Sequence, residues 1–249
     1  MRTPPGRYAS PSSISFGPGP LSPTLKYLIG ANVAVFALQQ FAPITALLGL
    51  MPRAVVEQLH IWQLFTYMFL HGNILHIVFN MLSLWMFGAE LERIWGTRAF
   101  LKYYLVTGVG AAALTVIFSL TPIAVADGLY GGVIIGASGA VFGLLLAYAL
   151  RFPDVPILMY FLFPIPAKYF VLIIGAVSFY ASATGAGGGV ANATHLFGLL
   201  VGYVYLRGVR LNPWAEVKYR WAKWRINQLR KKFDVHQGGR TDRWDKHVH

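Results

Sequence analysis

Charged positions and long apolar runs occupy separate stretches of this chain. No Asp, Glu, Lys or Arg falls between Tyr27 and Pro52, Gln58 and Ala89, Tyr103 and Ala126, Gly128 and Leu150, or Tyr169 and Leu206. A helix needs about 20 apolar residues to cross hydrocarbon, and several of these runs are longer. The runs and their breaks predict six spanning helices, at about 25–41, 74–93, 99–120, 136–151, 167–183 and 192–208. Gly72-Asn73 opens the second, the charged group Glu90, Glu92 and Arg93 closes it, and Gly96-Thr97 punctuates the turn into the third. Pro153, Pro156, Pro164 and Pro166 break up the approach to the fifth. Segment 42–73 is too polar at Arg53, Glu57 and Gln58 to cross. Its Leu, Met and Trp content predicts that it lies in the membrane interface.

Three regions follow. Residues 1–24, rich in Pro, Ser and Gly, are expected to form a disordered tail. They lack the apolar core of a signal peptide, so the first span is expected to double as the insertion signal. Residues 25–208 form the membrane domain. Residues 209–249 place Trp214, Val217, Trp221 and Trp224 at helical spacing among Lys218, Arg220, Lys223 and Arg225. That pattern predicts a basic amphipathic helix on the membrane surface, in contact with anionic lipid.

Composition supports the membrane assignment. Only 12% of residues are charged and 56% are hydrophobic, against about 25% charged in soluble domains; the mean hydropathy is +0.53. The net charge of +12 would point to nucleic acid in a soluble chain. Here more than half of the 21 basic residues lie from Arg207 onward, directly after the last apolar run, so they are a topology signal and nucleic-acid binding is not expected. Lys26, the Arg93–Lys102 cluster, Arg151 with Lys168, and the tail fall on one set of connections, whereas the other set carries only Arg53. Both termini are therefore expected on the cytoplasmic side. A bacterial plasma membrane is the expected location, with an organellar membrane the alternative. The chain has no cysteine, which removes disulfides, thiolate metal sites and a cysteine nucleophile.

Under this topology spans two, four and six all enter from the non-cytoplasmic face. His76, Ser138 and His195 lie near their respective starts, at one shallow depth that water can reach. A buried reactive group inside a span is a functional hypothesis by default. Ser138 is a weak nucleophile until a base takes its proton, and with no carboxylate in the uncharged runs His195 is that base. Gly139 with Gly143 and Gly198 with Gly202 repeat at GxxxG spacing beside the serine and the histidine, which lets two helix backbones approach closely. His76 and Asn80, four residues apart, share a helix face, and with the Ser138 backbone N–H they are candidate oxyanion donors. His71 reads as structural. No His-Glu-x-x-His motif is present, and Asp127 and Asp154 lie outside the spans, so no metal site, cofactor or aspartyl pair is expected. Glycines of the loop Ser182–Asn192 suggest a lid over the site.

In these residues the chain resembles the rhomboid intramembrane serine proteases. The match runs through His71-Gly72-Asn73-Ile74-Leu75-His76-Ile77-Val78-Phe79-Asn80, Gly88-Ala89-Glu90-Leu91-Glu92, Gly136-Ala137-Ser138-Gly139 and His195-Leu196-Phe197-Gly198 to Gly202. The resemblance implies an all-α membrane protein with a six-transmembrane-helix bundle and a Ser138–His195 dyad without an acidic third member. It further implies an oxyanion and substrate-binding group of His76, Asn80, Gly136 and Ser138, with single-span membrane proteins as substrates. The chain departs from the family pattern at Trp62-Gln63, where many relatives have Trp-Arg, and at Phe142, where tyrosine is common. Rival readings are a catalytically silent relative that binds membrane clients, and a small channel or transporter.

Overall fold

The computed structural model describes residues 19–159, 163–185, 190–210, 221 and 223–225, and these are mostly helical. The chain divides into two compact units, Met1–Leu206 and Arg207–His249. In the second, Trp221 and 223–225 are helical, and the Arg225 guanidinium lies 5.3 Å from the centre of the Trp221 ring. The expected tails fall largely outside the described residues, as does the centre of the loop proposed as a lid.

Each predicted helical run is a helix in the structure. Helix α1 (Pro23–Gln39) starts with Ser22, whose side chain accepts the Leu25 N–H, and with a proline at its first position. Segment 42–73 holds short turns: α2 (Thr45–Leu48), α3 (Pro52–Gln58), α4 (Gln63–Thr66) and a 3-10 turn at Tyr67–Phe69. Helix α5 (Ile74–Trp95) is capped by Asn73, whose side-chain Oδ1 accepts the His76 N–H at 2.8 Å. Gly96, at φ +78°, then turns the chain directly into α6 (Thr97–Ser119). Helix α7 (Ala124–Gly131) precedes α8 (Ser138–Arg151), α9 (Ala167–Thr184) and α10 (Val190–Arg210).

Two features were not foreseen. Helix α7 packs on α3 and α6 outside the main bundle. The proline-rich approach to α9 contains a two-stranded antiparallel hairpin, β1 (Pro156–Met159) and β2 (Phe163–Pro166), in which Pro156 pairs with Pro166. Prolines are tolerated because both strands are edges.

Helices α6 and α8 pack against each other, α5 packs against both, α1 against α5 and α9 against α8. At the end of α5, buried Glu92 accepts hydroxyl bonds from Ser22 at 2.6 Å and Thr97 at 2.7 Å, tying the starts of α1 and α6 together. The centre is small and tight. Gly108, Ala111, Ala112, Ala140 and Gly143 let α6 and α8 approach, and the buried hydroxyls of Tyr67 and Tyr103 donate to the Gly108 and Gly143 carbonyls at 2.8 and 2.7 Å. The outer faces are the reverse of a soluble protein. Val33 on α1, Val78 and Phe79 on α5, and Leu172, Val177 and Phe179 on α9 are all exposed, a belt suited to lipid. Helices Ile74–Trp95, Thr97–Ser119 and Ala167–Thr184 are long and apolar enough to cross a membrane. The 17-residue α1 and 14-residue α8 are shorter.

Candidate active site

Ser138 is the first residue of α8, delivered by a loop whose backbone is fixed on both sides. Leu50 and Ile134 exchange backbone hydrogen bonds at 2.9 and 2.8 Å, and the Gly136 N–H donates to the Tyr67 carbonyl at 2.9 Å. Gly136 has φ +123°, and a Cβ there would sit 2.7 Å from His76 Nε2. Only glycine serves at that turn. Because its N–H is committed to Tyr67, Gly136 supplies space beside the serine rather than a free donor. The Ser138 N–H, at the first position of a helix, has no intrahelical acceptor.

His195 lies in the second turn of α10, and its Nε2 is 2.7 Å from Ser138 Oγ. The helices carrying them touch through glycines. A Cβ on Gly198 would run into the Gly139 carbonyl oxygen, and one on Gly202 would meet the Tyr103 hydroxyl at 2.5 Å and the Gly143 Cα at 3.3 Å. The imidazole of His195 stacks on Phe142 at 4.3 Å and 12°. An aromatic face is thus retained without a phenol hydroxyl. His195 Nδ1 is buried and has no hydrogen-bond partner among the described residues.

His76 and Asn80 face the same space from α5. The Gly72 N–H donates to His76 Nδ1 at 3.2 Å, and the Asn80 amide nitrogen donates to the His76 carbonyl at 2.9 Å, leaving its second N–H available. A cavity of about 290 Å³ joins His76, Asn80, Ser138 and His195 and continues between α5 and α9 past Ser83, Phe87, Phe170 and Ile174. Ser83 and Phe87 repeat the face of His76 and Asn80 at helical spacing, a signal that could have marked them in the sequence. His71 is 2% exposed and packs edge-on against His76, with ring centres 5.0 Å apart.

Two supporting residues, Gln63 and Tyr67, act through backbone groups that the sequence does not reveal. Gln63, fully buried, accepts the Met51 N–H at 3.0 Å and donates to the Leu47 carbonyl at 3.3 Å, so a glutamine braces the segment that pairs with Ile134. Tyr67 adds the carbonyl that holds Gly136. Neither lies on a periodic pattern.

Comparison with known proteins places this chain in a family. Residues 58–211 match the Rhomboid domain. Mitochondrial Rhomboid protein 1 of Saccharomyces cerevisiae is 32% identical over 183 residues, covering 72% of this chain and 51% of that protein. Rhomboid protease GluP of Bacillus subtilis is 32% identical over 155 residues, covering 62% of this chain and 27% of that protein. Rhomboid protease GlpG of Pectobacterium atrosepticum is 28% identical over 197 residues, covering 79% and 65%. The chain thus spans between 27% and 65% of the length of these three relatives.

Proposed function

The chain belongs to the rhomboid family, and from that premise we propose that it is an intramembrane serine endopeptidase whose Ser138–His195 dyad cleaves single-span membrane proteins. The observation that carries this reading is the 2.7 Å approach of His195 Nε2 to Ser138 Oγ at the head of a cavity walled by apolar helices.

Ser138 Oγ attacks the carbonyl carbon of the scissile peptide while its proton passes to His195 Nε2. The oxyanion that forms is met by the Ser138 backbone N–H, by His76 Nε2–H and by the free N–H of Asn80. His195 then gives its proton to the leaving amine as the C–N bond breaks. A water molecule adds to the acyl ester, again losing its proton to His195, and collapse returns the proton to Ser138 Oγ and releases the new carboxylate. No metal or cofactor takes part. Substrate helices must unwind locally, since a regular helix keeps its carbonyls in hydrogen bonds.

In this reading α1, α8 and α10 complete a six-span bundle with α5, α6 and α9. At about 1.5 Å per residue, α8 sets Ser138 roughly 20 Å from Arg151. With Arg151 at the cytoplasmic interface of a bilayer whose hydrocarbon core is about 30 Å thick, the nucleophile sits below the opposite surface, within reach of water. Both termini then face the cytoplasm, and the basic C-terminal segment contacts anionic lipid. Among the relatives are mitochondrial and bacterial proteins; we assign this chain to a bacterial plasma membrane.

The test is cleavage of a panel of labelled single-span proteins by the purified protein in detergent, with Ser138→Ala and His195→Ala alongside. Cleavage that both substitutions abolish and a chelator leaves intact supports the reading. Cleavage that survives Ser138→Ala overturns it.

A further inference from the structure

No hydrogen bond from behind holds the His195 ring, because its buried Nδ1 lacks a partner among the described residues. The stack on Phe142 sets the plane of the imidazole. Its distance from Ser138 therefore depends on where the α10 backbone stands. The residue next to it is placed to fix that.

Thr194 is 1% exposed and Thr115, on α6, is fully buried. The Thr115 hydroxyl lies 2.8 Å from the Ala111 carbonyl oxygen and 3.0 Å from the Thr194 hydroxyl. A carbonyl oxygen only accepts, so the Thr115 proton is committed to Ala111 and Thr194 must donate to Thr115. On its other side the Thr194 methyl lies 3.5 Å from the position a Cβ on Gly139 would take. Thr194 therefore ties α10 to α6 through its hydroxyl and rests on α8 through its methyl. It does so one residue before His195 and against the residue that follows Ser138.

We propose that Thr115 and Thr194 are positioning residues for His195, fixing the depth and rotation of α10 at which Nε2 meets Ser138 Oγ. The inference rests on the reading of Ser138 and His195 as a catalytic dyad. In that dyad the hydroxyl pair does, through the helix, what an acidic third member does through a ring nitrogen. The bond is directional and lies in a desolvated place, so its loss removes the polar tie between α10 and α6 beside His195. Thr194→Val keeps the shape and leaves the Thr115–Ala111 bond intact, so the variant keeps its fold.

The test compares Thr194→Val, Thr194→Ser, Thr115→Val and the double valine variant in the full chain. The expected result is a fall in kcat of about tenfold or more, since a misplacement of 1 Å can cost about 10²-fold, with KM unchanged. Serine at 194 should restore wild-type kcat, and the double variant should be no worse than either single one because both remove the same bond. The 15N resonance of His195 Nε2, which reports its bond to Ser138, should shift in the valine variants and not in Thr194→Ser. An unchanged kcat and 15N signal in Thr194→Val, or serine as damaging as valine, overturns the proposal. Ser138→Ala separates the two levels: cleavage that persists there ends the dyad reading, and the 15N comparison still decides whether the threonines place His195.

Discussion

Gly72 and His76 together define which imidazole nitrogen can donate. The Gly72 N–H reaches His76 Nδ1 at 3.2 Å, so in the neutral ring the proton resides on Nε2. That atom lies 2.7 Å from where a Cβ on Gly136 would be, in the space beside Ser138. In the proposed mechanism His76 therefore donates toward the serine rather than accepting from it, which separates the role we propose for it from that of His195.

His76→Ala and Asn80→Ala should each lower kcat by about 10²–10³-fold, the usual effect of removing one oxyanion donor. KM should change little, because the donor meets charge that exists only after attack. Steady-state cleavage kinetics check this; a rise in KM at unchanged kcat would mean that these residues bind ground-state substrate.

Gly198→Ala tests the close approach of α10 to α8. The added carbon would collide with the Gly139 carbonyl oxygen, part of a rigid helix backbone that cannot rotate away. Overpacking of this kind costs about 1–3 kcal/mol or more, and here it also pries His195 from Ser138. Thermal unfolding in detergent should show a lowered Tm, with activity lost at temperatures where the variant is still folded. Gly208→Ala, where a Cβ meets nothing, should leave both unchanged.

Six helical runs, their punctuation by Gly72-Asn73 and Gly96, and the identity of Ser138, His195, His76 and Asn80 as candidate groups could be read from the chain. Long uncharged runs and isolated polar residues within them are visible without tertiary information. Helix α7 and the β1–β2 hairpin could not be read, since eight residues with one charge and a proline-spaced apolar run have no distinctive period. Nor could the bracing by Gln63 and Tyr67, because their partners at Leu47, Met51 and Gly136 are backbone groups, to which sequence is nearly blind. Thr194 was visible as a neighbour of His195, but its partner is 79 residues away on another helix.

Gln63→Leu removes the buried amide that serves Met51 and Leu47. Trp62 Nε1 still donates to the Leu47 carbonyl at 3.0 Å, so the Met51 N–H is the group left without its acceptor. The expected loss is about 1–3 kcal/mol, the cost of one unsatisfied buried donor. Because Leu50, next to Met51, pairs with Ile134 ahead of Ser138, proteolysis of the 132–137 loop should also quicken. Equal Tm values for variant and wild type would show that the brace is dispensable.

His71 lies just ahead of α5, and burial, then the neighbouring His76, hold its pKa down at about 4. A base depressed in the folded state binds its proton first in the unfolded chain. Its contribution to stability is complete above about pH 6.5, the ordinary histidine value, and is lost as pH falls from there toward 4. Tm measured between pH 7 and pH 4.5 should therefore fall less steeply in His71→Phe than in the wild type. Parallel curves would assign the acid sensitivity to other groups.

The most direct test of the dyad needs no substrate. A fluorophosphonate probe reacts with a serine only where a base and an oxyanion site activate it. Peptide mapping after labelling in detergent should find a single adduct, on Ser138, and the adduct should disappear in His195→Ala at temperatures where that variant is still folded. An unlabelled Ser138 in the folded protein, or labelling that is as fast without His195 as with it, would contradict the account.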